Sequence, residues 1–255
     1  MKASAERSRP RIAQPPAPRL DWAYFFDIDG TLVDIAPTPR EVRLEADLLQ
    51  LILRLRRATG GALALISGRS IAGIDSIFHD QGLPVAGQHG IERRDVHGRV
   101  TRHAFPIGAL TSARARLAAI ADRHQGLMLE DKELSLALHY RQQPALGSYV
   151  HRLMRTMQAE IGADYTVQRG KRIVELKPSG KDKGQAVYEF MAESPFNGRV
   201  PVFVGDDVTD EHGFAAVNAL GGYSIKVGKG RSRARWRLAD VEAVQTWLEH
   251  GEKQQ

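Results

Sequence analysis

The 255-residue chain contains no cysteine, which excludes disulfide bonds, a catalytic thiolate, and zinc or iron–sulfur sites held by thiolates. It also lacks long hydrophobic runs, since apolar runs such as Ala62–Ile66 fall far short of the roughly 20 residues that span a bilayer. The first 25 residues hold no apolar stretch of the kind found in secretory signals. We therefore expect a cytoplasmic protein with no membrane partner, whose chemistry uses oxygen and nitrogen groups. We also expect a monomer.

The net charge of +6 is concentrated in two short segments. Residues 1–20 carry a net charge of +4 and residues 229–237 carry +5, which leaves −3 for the rest of the chain. A protein that reads the phosphate backbone of nucleic acid usually spreads basic residues across its folded face. We therefore expect no nucleic-acid partner, and keep a nucleic-acid-binding protein with a basic tail as a remote alternative. In the late segment every second residue is basic, which predicts a solvated edge or loop at Arg231, Arg233, Arg235 and Arg237.

The order of apolar segments predicts an α/β fold in which a core domain is interrupted by an insertion. Residues 1–20 are rich in proline and arginine and are expected to form a disordered leader. Residues 21–106 alternate short buried strands with helices, which is typical of a doubly wound, Rossmann-like parallel sheet. The predicted elements of this first core part are Trp22–Phe26, 40–59, Ala62–Ile66, 70–78 and Leu83–Ala86, followed by a hairpin over Ile91–Arg102.

The pattern changes near Pro106 and predicts an inserted cap domain at residues 107–177. Its segments follow the order αββαββ, with apolar and polar residues alternating in the strands, as expected for an antiparallel sheet with helices on one face. The predicted cap elements are 108–124, Leu127–Glu130, Leu134–Tyr140, 144–161, Tyr165–Gln168 and Arg172–Leu176. The second core part, residues 178–255, resumes the α/β pattern with Lys183–Met191, Val200–Val204, Phe214–Ala219, Ser224–Val227 and Val241–His250.

Two carboxylates follow the first buried strand directly, at Asp27 and Asp29. Residues i and i+2 of a strand share a face, and ligands of open α/β sheets bind at the carboxyl ends of the strands. One carboxylate can therefore act as an ionised nucleophile while the other, protonated, acts as an acid. An ordinary Asp-Gly turn after a strand is the structural alternative.

Four more carboxylates lie within six residues after the strand Val200–Val204. They are Asp206, Asp207, Asp210 and Glu211. Clustered acids repel one another unless a cation neutralises them, although acids at a helix N-terminus are also favoured by the helix dipole. Together with Asp27 and Asp29, the cluster predicts a site for Mg²⁺, which prefers oxygen ligands and commonly works beside phosphate.

Two further segments suit a phosphate group. Ser67 and Gly68 follow a predicted strand and precede a helix, where a hydroxyl and free backbone N–H groups can bind an anion. Lys183 begins a helix and can neutralise a phosphoryl oxygen. Taken singly, each has an ordinary structural alternative: a helix N-cap for the segment Ser67-Gly68-Arg69-Ser70 and a solvated side chain for Lys183.

In this order, Asp27-Ile28-Asp29-Gly30-Thr31, Ser67, Lys183 and Gly205-Asp206-Asp207-x-x-Asp210 resemble the four motifs of haloacid dehalogenase-like phosphatases. The αββαββ insertion resembles a cap found in sugar-phosphate members of that superfamily. A narrower resemblance, to trehalose-6-phosphate phosphatases, rests on Ser67-Gly68-Arg69, His89-Gly90, Glu130-x-Lys132, His139-Tyr140-Arg141 and Gly205–Glu211. The resemblance covers about residues 22–250 and leaves the leader outside.

This resemblance implies a reaction and a role for each motif residue. Asp27 would attack phosphorus and form an aspartyl phosphate, while Asp29 would act as acid and then as base. The metal would be held by the Asp27 carboxylate, the Asp29 backbone carbonyl and Asp206, with Asp207 and Asp210 in support. Ser67, Gly68 and Lys183 would bind the phosphoryl group; Lys181 is the alternative lysine, and Gly184 after Lys183 fits the family pattern better.

The cap is expected to recognise the sugar. By resemblance, the groups that hydrogen-bond the sugar hydroxyls would be Glu130, Lys132, His139 and Glu175. Polar residues on an exposed strand face are the structural alternative. The implied substrate is trehalose 6-phosphate, hydrolysed to trehalose and phosphate in trehalose biosynthesis. The alternative substrate is another phosphosugar, such as sucrose phosphate or mannosyl-glycerate phosphate.

Overall fold

The computed structural model describes residues 14–38, 41–103 and 108–252. Two separate sheets organise them, one of eight strands and one of four. In the first core part the elements are β1 (Trp22–Phe26), α1 (Ala46–Ala58), β2 (Leu63–Ile66), α2 (Ile71–Phe78), β3 (Val85–Gly87), β4 (Glu92–Arg94) and β5 (Val100–Arg102).

The insertion follows, and after it the chain returns to the large sheet. The insertion contains α3 (Gly108–Arg123), β6 (Met128–Asp131), β7 (Leu136–His139), α4 (Gly147–Ile161), β8 (Tyr165–Gly170) and β9 (Ile173–Pro178). The second core part contains α5 (Lys183–Met191), β10 (Val200–Gly205), α6 (Asp210–Ala219), β11 (Tyr223–Val227), β12 (Trp236–Leu238) and α7 (Val241–Glu252).

The strand β1 lies in the middle of the large sheet, whose order is β12-β11-β10-β1-β2-β3-β4-β5. All five residues of β1 are buried. Tyr24 and Phe26 pack into one apolar cluster and Phe25 into another, on the opposite face of the sheet. Apolar side chains on both faces of the strand are what a parallel sheet covered by helices on both sides requires.

The chain leaves β1 towards β2 and β3 on one side and returns through β10 and β11 on the other. The order therefore reverses between β1 and β10, which pair in parallel so that Phe26 lies opposite Val204. Such a switch point opens a crevice at the carboxyl ends of the two strands. The residues that follow β1 and β10 are thus placed side by side.

The insertion forms an antiparallel sheet with the order β6-β7-β9-β8. One face of this sheet packs against α3 and α4 through a cluster that includes Leu136, Leu138, Val174, Leu176 and Met154. Because strand residues alternate between faces, the intervening residues of β7 and β9 point to the opposite face. The predicted fold class, a Rossmann-like core with an αββαββ cap, is confirmed; the domain boundaries at 106 and 177 stay a prediction.

Two helix starts were predicted wrongly and one short strand was missed, whereas the predicted hairpin formed. The helix α1 begins at Ala46 and not at residue 40. Val42, whose apolar side chain suggested a helical position, is buried but lies in the irregular connection before the helix. The helix α6 begins at Asp210, four residues earlier than predicted, with Asp210 and Glu211 in a first turn that favours acids. The late basic segment leads into a short strand, β12, which extends the large sheet in parallel. At the other edge, β4 and β5 pair antiparallel, which confirms the predicted hairpin over Ile91–Arg102 and makes the sheet mixed.

The predicted disordered leader lies outside the described residues as far as residue 13. Residues 14–20 contact the core: the indole of Trp247 donates to the carbonyl of Pro16 at 2.8 Å. Arg231, Arg233 and Arg235 are exposed. Within the described parts of the chain, no helix has both the length and the apolar character needed to cross a membrane.

Candidate active site

A buried lysine joins two aspartates at the switch point between β1 and β10. The Lys183 Nζ atom lies 2.8 Å from Asp27 Oδ1 and 2.7 Å from Asp210 Oδ1. All three side chains are buried. Burial lowers the pKa of Lys183, but the nearby carboxylates of Asp210 and Asp27 raise it by more than burial lowers it. The net shift is upward, so the lysine is cationic. Burial raises the pKa of Asp27, and Lys183 opposes that shift. The predicted nucleophile therefore has a fixed positive charge beside it.

The backbone after Asp27 approaches Asp206 closely, which only glycine permits. Gly30 has a φ of +83°, and a Cβ atom there would overlap the carboxylate of Asp206. This contact brings the ends of β1 and β10 together. It explains, in physical terms, why the first motif continues with glycine.

Three of the acids form a group that suits a cation. One carboxylate oxygen from each of Asp27, Asp206 and Asp210 lies within 4.8 Å of the others. Asp206 Oδ1 is buried and has no hydrogen-bond partner among the described residues. Burial, together with Asp210 and Asp207, raises the pKa of Asp206 to about 7. A carboxylate oxygen without a hydrogen-bond partner is available to a cation, and Mg²⁺ commonly binds through one or two carboxylates, so these residues fit the predicted ion.

The second aspartate of the first motif faces another way. Asp29 accepts two hydrogen bonds from Arg69, from Nε and from Nη2, each at 2.6 Å. Its side chain is one-third exposed, whereas Arg69 is largely buried. Asp29 thus borders the cavity, and its side chain is not part of the three-acid group.

The residues predicted to bind phosphate border the same cavity. Ser67 and Gly68 follow β2, and Ser67 is buried with its Oγ atom 3.3 Å from the backbone N of Arg69. Lys183 reaches the cavity from the start of α5, because Asp182 caps that helix by accepting from Gln185. Lys181 turns away and pairs with Glu189 at 2.5 Å. The geometry therefore places Lys183, and not Lys181, next to Asp27.

The side chain of Asp207 contacts the cap, whereas its backbone contacts the three-acid group. Its Oδ2 atom accepts from the backbone N of Lys171, at the tip of the β8–β9 hairpin, at 3.2 Å. Its own backbone N donates to Asp210 Oδ2 at 2.8 Å. Asp210 therefore accepts from both Lys183 and Asp207, which fixes its carboxylate and suits the supporting role that was predicted.

The cap presents a charged face to this cavity. Lys132 Nζ lies 3.4 Å from Glu175 Oε1 and 4.0 Å from Glu130 Oε2. His139 Nε2 lies 2.8 Å from Glu130 Oε2. The four predicted cap residues, Glu130, Lys132, His139 and Glu175, all line the cavity together with the core motifs. Although burial opposes it, Lys132 lowers the pKa of both glutamates, so both are ionised.

Some residues of the cavity wall were missed by the sequence prediction. They are Ile35, Ala36, Pro37, Thr38, Val42, Thr209, Gln168, Gly170, Lys171 and Ile173. Most lie in connections, where no periodic pattern signals that a side chain faces a site. Gln168 could have been found, because the alternation along β8 puts it on the face opposite the buried Tyr165.

A family model described as trehalose-phosphatase matches residues 25–242. The chain is 43% identical over 238 residues to the trehalose-6-phosphate phosphatase of Escherichia coli (strain K12), which covers 93% of this chain and 89% of that relative. The match includes both core parts and the cap.

Solved structures share the fold. The C-terminal domain of the C. albicans trehalose-6-phosphate phosphatase superposes with a TM-score of 0.82 at 20% identity, covering 91% of this chain and 93% of that one. A haloacid dehalogenase-like hydrolase from B. subtilis superposes with a TM-score of 0.62 at 15% identity, covering 89% and 99%. At these identities the likeness concerns the fold alone.

Proposed function

The chain belongs to the trehalose-phosphatase family, with a fold of the haloacid dehalogenase-like type, and on that premise we propose that it hydrolyses trehalose 6-phosphate to trehalose and phosphate. The observation that carries this proposal is the position of Asp27. It lies at the switch point of the sheet, paired with the buried cation Lys183, and opens into a cavity walled by a polar cap face. A carboxylate in that setting suits attack on a phosphate ester.

In the first step Asp27 bonds to phosphorus and the bond to the sugar oxygen breaks. Asp29 gives its proton to the leaving sugar oxygen, which becomes the hydroxyl of trehalose. In the second step a water attacks the aspartyl phosphate and Asp29 takes its proton. The bond between phosphorus and Asp27 then breaks, and inorganic phosphate leaves.

The negative charge of the transition state spreads over the three phosphoryl oxygens that do not leave. Ser67, the backbone of Gly68 and Lys183 are the groups we assign to those oxygens. Asp210 holds Lys183 in place, because it accepts from Nζ at 2.7 Å. Positioned charge of this kind costs no reorganisation during the reaction.

We further propose that Mg²⁺ is held by Asp27 and Asp206, two members of the three-acid group, together with the backbone carbonyl of Asp29. The ion would supply positive charge beside the transferring phosphoryl group. Asp207 and Asp210 support this site through the hydrogen bonds described above. The unpaired Oδ1 of Asp206 supports the assignment.

In the cap, Glu130, Lys132, His139 and Glu175 are the groups we assign to the sugar hydroxyls. A sugar is neutral and rich in hydroxyl groups, so its recognition needs charged and polar partners and not an apolar slot. Glu130 is the most accessible of the three charged groups in this set, with 26% of its side chain exposed. The sugar contacts restrict the reaction to esters that fill both domains.

Phosphate release from a panel of phosphosugars tests the proposal. The kcat/KM for trehalose 6-phosphate should exceed the values for sucrose 6-phosphate, glucose 6-phosphate and mannosyl-glycerate phosphate. Hydrolysis should require Mg²⁺. Preference for another member of the panel would keep the chemistry and change the substrate. Loss of all activity in every case would contradict the proposal.

We propose a cytoplasmic monomer that binds no nucleic acid. Light scattering tests the monomer. Salt-sensitive retention on immobilised nucleic acid that disappears when residues 1–20 are removed would favour the alternative of a basic-tailed nucleic-acid-binding protein.

A further inference from the structure

The imidazole of His89, a core residue, touches the cap carboxylate of Glu175. His89 Nε2 lies 2.9 Å from Glu175 Oε2, and both side chains are buried. The two residues are 86 positions apart; His89 lies in the turn between β3 and β4 of the large sheet, and Glu175 lies in β9 of the cap sheet. Burial lowers the pKa of His89, so the neutral ring donates its Nε2–H to the ionised carboxylate.

His89 is built rigidly onto the loop assigned to phosphate. Its backbone N donates to the carbonyl of Ser67 at 2.9 Å, and the backbone N of Gln88 donates to that of Arg69 at 2.8 Å. Both Gln88 and His89 have a positive φ, +46° and +59°. The ring lies directly on Gly68, where a Cβ atom would be 2.9 Å from its Nε2 atom.

The cap reaches the same loop through a second contact. Lys132 Nζ donates to the carbonyl of Gly68 at 2.7 Å. Ser135 Oγ donates to Glu175 Oε1 at 2.6 Å, so both oxygens of Glu175 have partners. Lys132 and Ser135 are cap residues, and His89 alone of these three partners comes from the core. The His89 bond exists only while the cap lies on the core.

We propose that His89 is a positioning residue that couples closure of the cap to the phosphate-binding loop, by fixing Glu175 over Gly68 when the two domains meet. It acts through Glu175 and Gly68 and takes no part in proton transfer to the substrate. The sugar end of the substrate is read by a cap surface whose orientation His89 sets. The phosphoryl end is read by the loop that carries His89. This inference rests on the proposed function for its substrate.

The test uses His89→Asn, because asparagine tolerates a positive φ and is too short to reach Glu175. His89→Gln is the rescue variant, since glutamine keeps an N–H donor of longer reach and its neighbour Gln88 already adopts a positive φ. The matched control is His79→Asn, because His79 also has a positive φ, +51°, but is exposed and away from the cavity.

Kinetics separates positioning from a general structural effect. Losing the hydrogen bond to a buried charge should lower kcat/KM of His89→Asn for trehalose 6-phosphate by about 10- to 100-fold. The loss for 4-nitrophenyl phosphate, which makes no sugar contacts, should stay below about threefold. His89→Gln should recover most of the activity, and His79→Asn should match the parent. Equal losses on both substrates would overturn the proposal.

A closure measurement makes the test independent of the substrate. The chain has no cysteine, so spin labels can be placed by Thr156→Cys in α4 and Thr246→Cys in α7, both exposed. The parent without ligand should populate the short distance of the closed structure, and His89→Asn should lose that population. A parent without the short distance, or identical distributions in the two proteins, would overturn the proposal. Activity on none of the phosphosugars, with closure still dependent on His89, would reject the proposed function alone.

Discussion

Arg69 and Asp29 form a forked ion pair in which the Nε and Nη2 atoms of the guanidinium each lie 2.6 Å from one carboxylate oxygen. The pair joins the end of β2 to the end of β1, 40 residues apart. The ion pair holds Asp29, the proposed acid, close to Asp27, the proposed nucleophile. It also turns the carboxylate of Asp29 towards Arg69 in the cavity wall. Asp29 must leave this pair, or share it, when it protonates a leaving group.

Replacing Arg69 by lysine should therefore slow substrates with poor leaving groups most. Lysine keeps the charge but cannot hold both oxygens at once, so the acid is less well placed. The measurement is kcat/KM for aryl phosphates of similar size, from 4-nitrophenyl phosphate to phenyl phosphate, whose phenolate is the poorer leaving group. In Arg69→Lys, we expect kcat/KM for phenyl phosphate to fall by a factor about 10-fold larger than the factor for 4-nitrophenyl phosphate.

A matched control for this prediction exists in the chain. Arg94 holds Asp75 in the same forked way, at 2.8 and 2.6 Å, outside the cavity. Arg94→Lys should leave the dependence on the leaving group unchanged. If Arg69→Lys slowed all aryl phosphates equally, Arg69 would serve the phosphate loop and not the acid.

Asp27→Asn should abolish turnover and leave the fold intact. An amide cannot attack phosphorus, and it still accepts a hydrogen bond from Lys183. We expect less than a tenth of the parent activity with Mg²⁺ present and a thermal midpoint close to that of the parent. Mass spectrometry of quenched reactions should find a phosphorylated peptide containing Asp27 in the parent only. Activity above that level would show that Asp27 is not the nucleophile.

The strand ends of the core could be predicted from sequence because each apolar strand is followed at once by polar residues. Asp27, Ser67 and Asp206 needed only the rule that carboxyl ends of parallel strands meet at one edge. The alternation in β9 likewise put Glu175 on the face opposite Leu176. These predictions depend only on neighbouring residues. When one face of a strand is buried, the alternation along the strand decides which side chains face the core.

The pairings across the site could not be predicted in that way. Nothing in the sequence near His89 indicates that its ring contacts Glu175, since that contact depends on how the cap lies on the core. Asp206 and Asp207 are adjacent in sequence, yet Asp206 belongs to the three-acid group, whereas the carboxylate of Asp207 accepts from the backbone N of Lys171 in the cap. The strand β12 was missed because three residues next to a run of arginines give too short an apolar pattern.

Mg²⁺ should stabilise the protein more at about pH 8 than at about pH 5.5. In the chain without metal the pKa of Asp206 is about 7, above the ordinary value of about 3.9 in an unfolded chain. Asp206 thus binds its proton more tightly in the folded state than in the unfolded state. Its protonation therefore contributes to the free energy of unfolding in full below about pH 4, and this contribution is lost as the pH rises through about 7. A cation replaces the proton and restores that stability only where Asp206 is ionised.

The measurement is the shift in thermal midpoint caused by Mg²⁺ at the two pH values. Taking the difference with and without the ion removes the effects of titrating groups that lie away from the metal site. Asp206→Asn should reduce the shift at both values and weaken its pH dependence, with Asp27 supplying what remains. Chelation should abolish phosphatase activity and added Mg²⁺ should restore it. Full activity in excess chelator, or equal shifts at both pH values, would contradict the metal assignment.

Glu130→Ala should impair the phosphosugar and spare a small ester. Glu130 lies within the cap, paired with His139 at 2.8 Å, and does not contact the residues assigned to the phosphoryl group. Losing one hydrogen-bonded group at a sugar hydroxyl costs about 1–3 kcal/mol of transition-state binding, because its partner is left unpaired. That range is roughly a 5- to 150-fold loss in kcat/KM, at about 1.4 kcal/mol per tenfold change.

The comparison that decides this prediction uses two substrates and two variants. Trehalose 6-phosphate fills the cap and 4-nitrophenyl phosphate does not, so only the first should respond to Glu130→Ala. Glu160→Ala is the control, because Glu160 is an exposed cap glutamate on α4 that pairs with Arg116 outside the cavity, and exposed pairs contribute little stability. The core residues are proposed to bind the phosphoryl group of either ester, so a loss shared by both substrates would mean that Glu130 supports the fold or the chemistry. A loss on neither would place the sugar pocket elsewhere, and the partly buried Glu130 would then be an ordinary residue of the polar face.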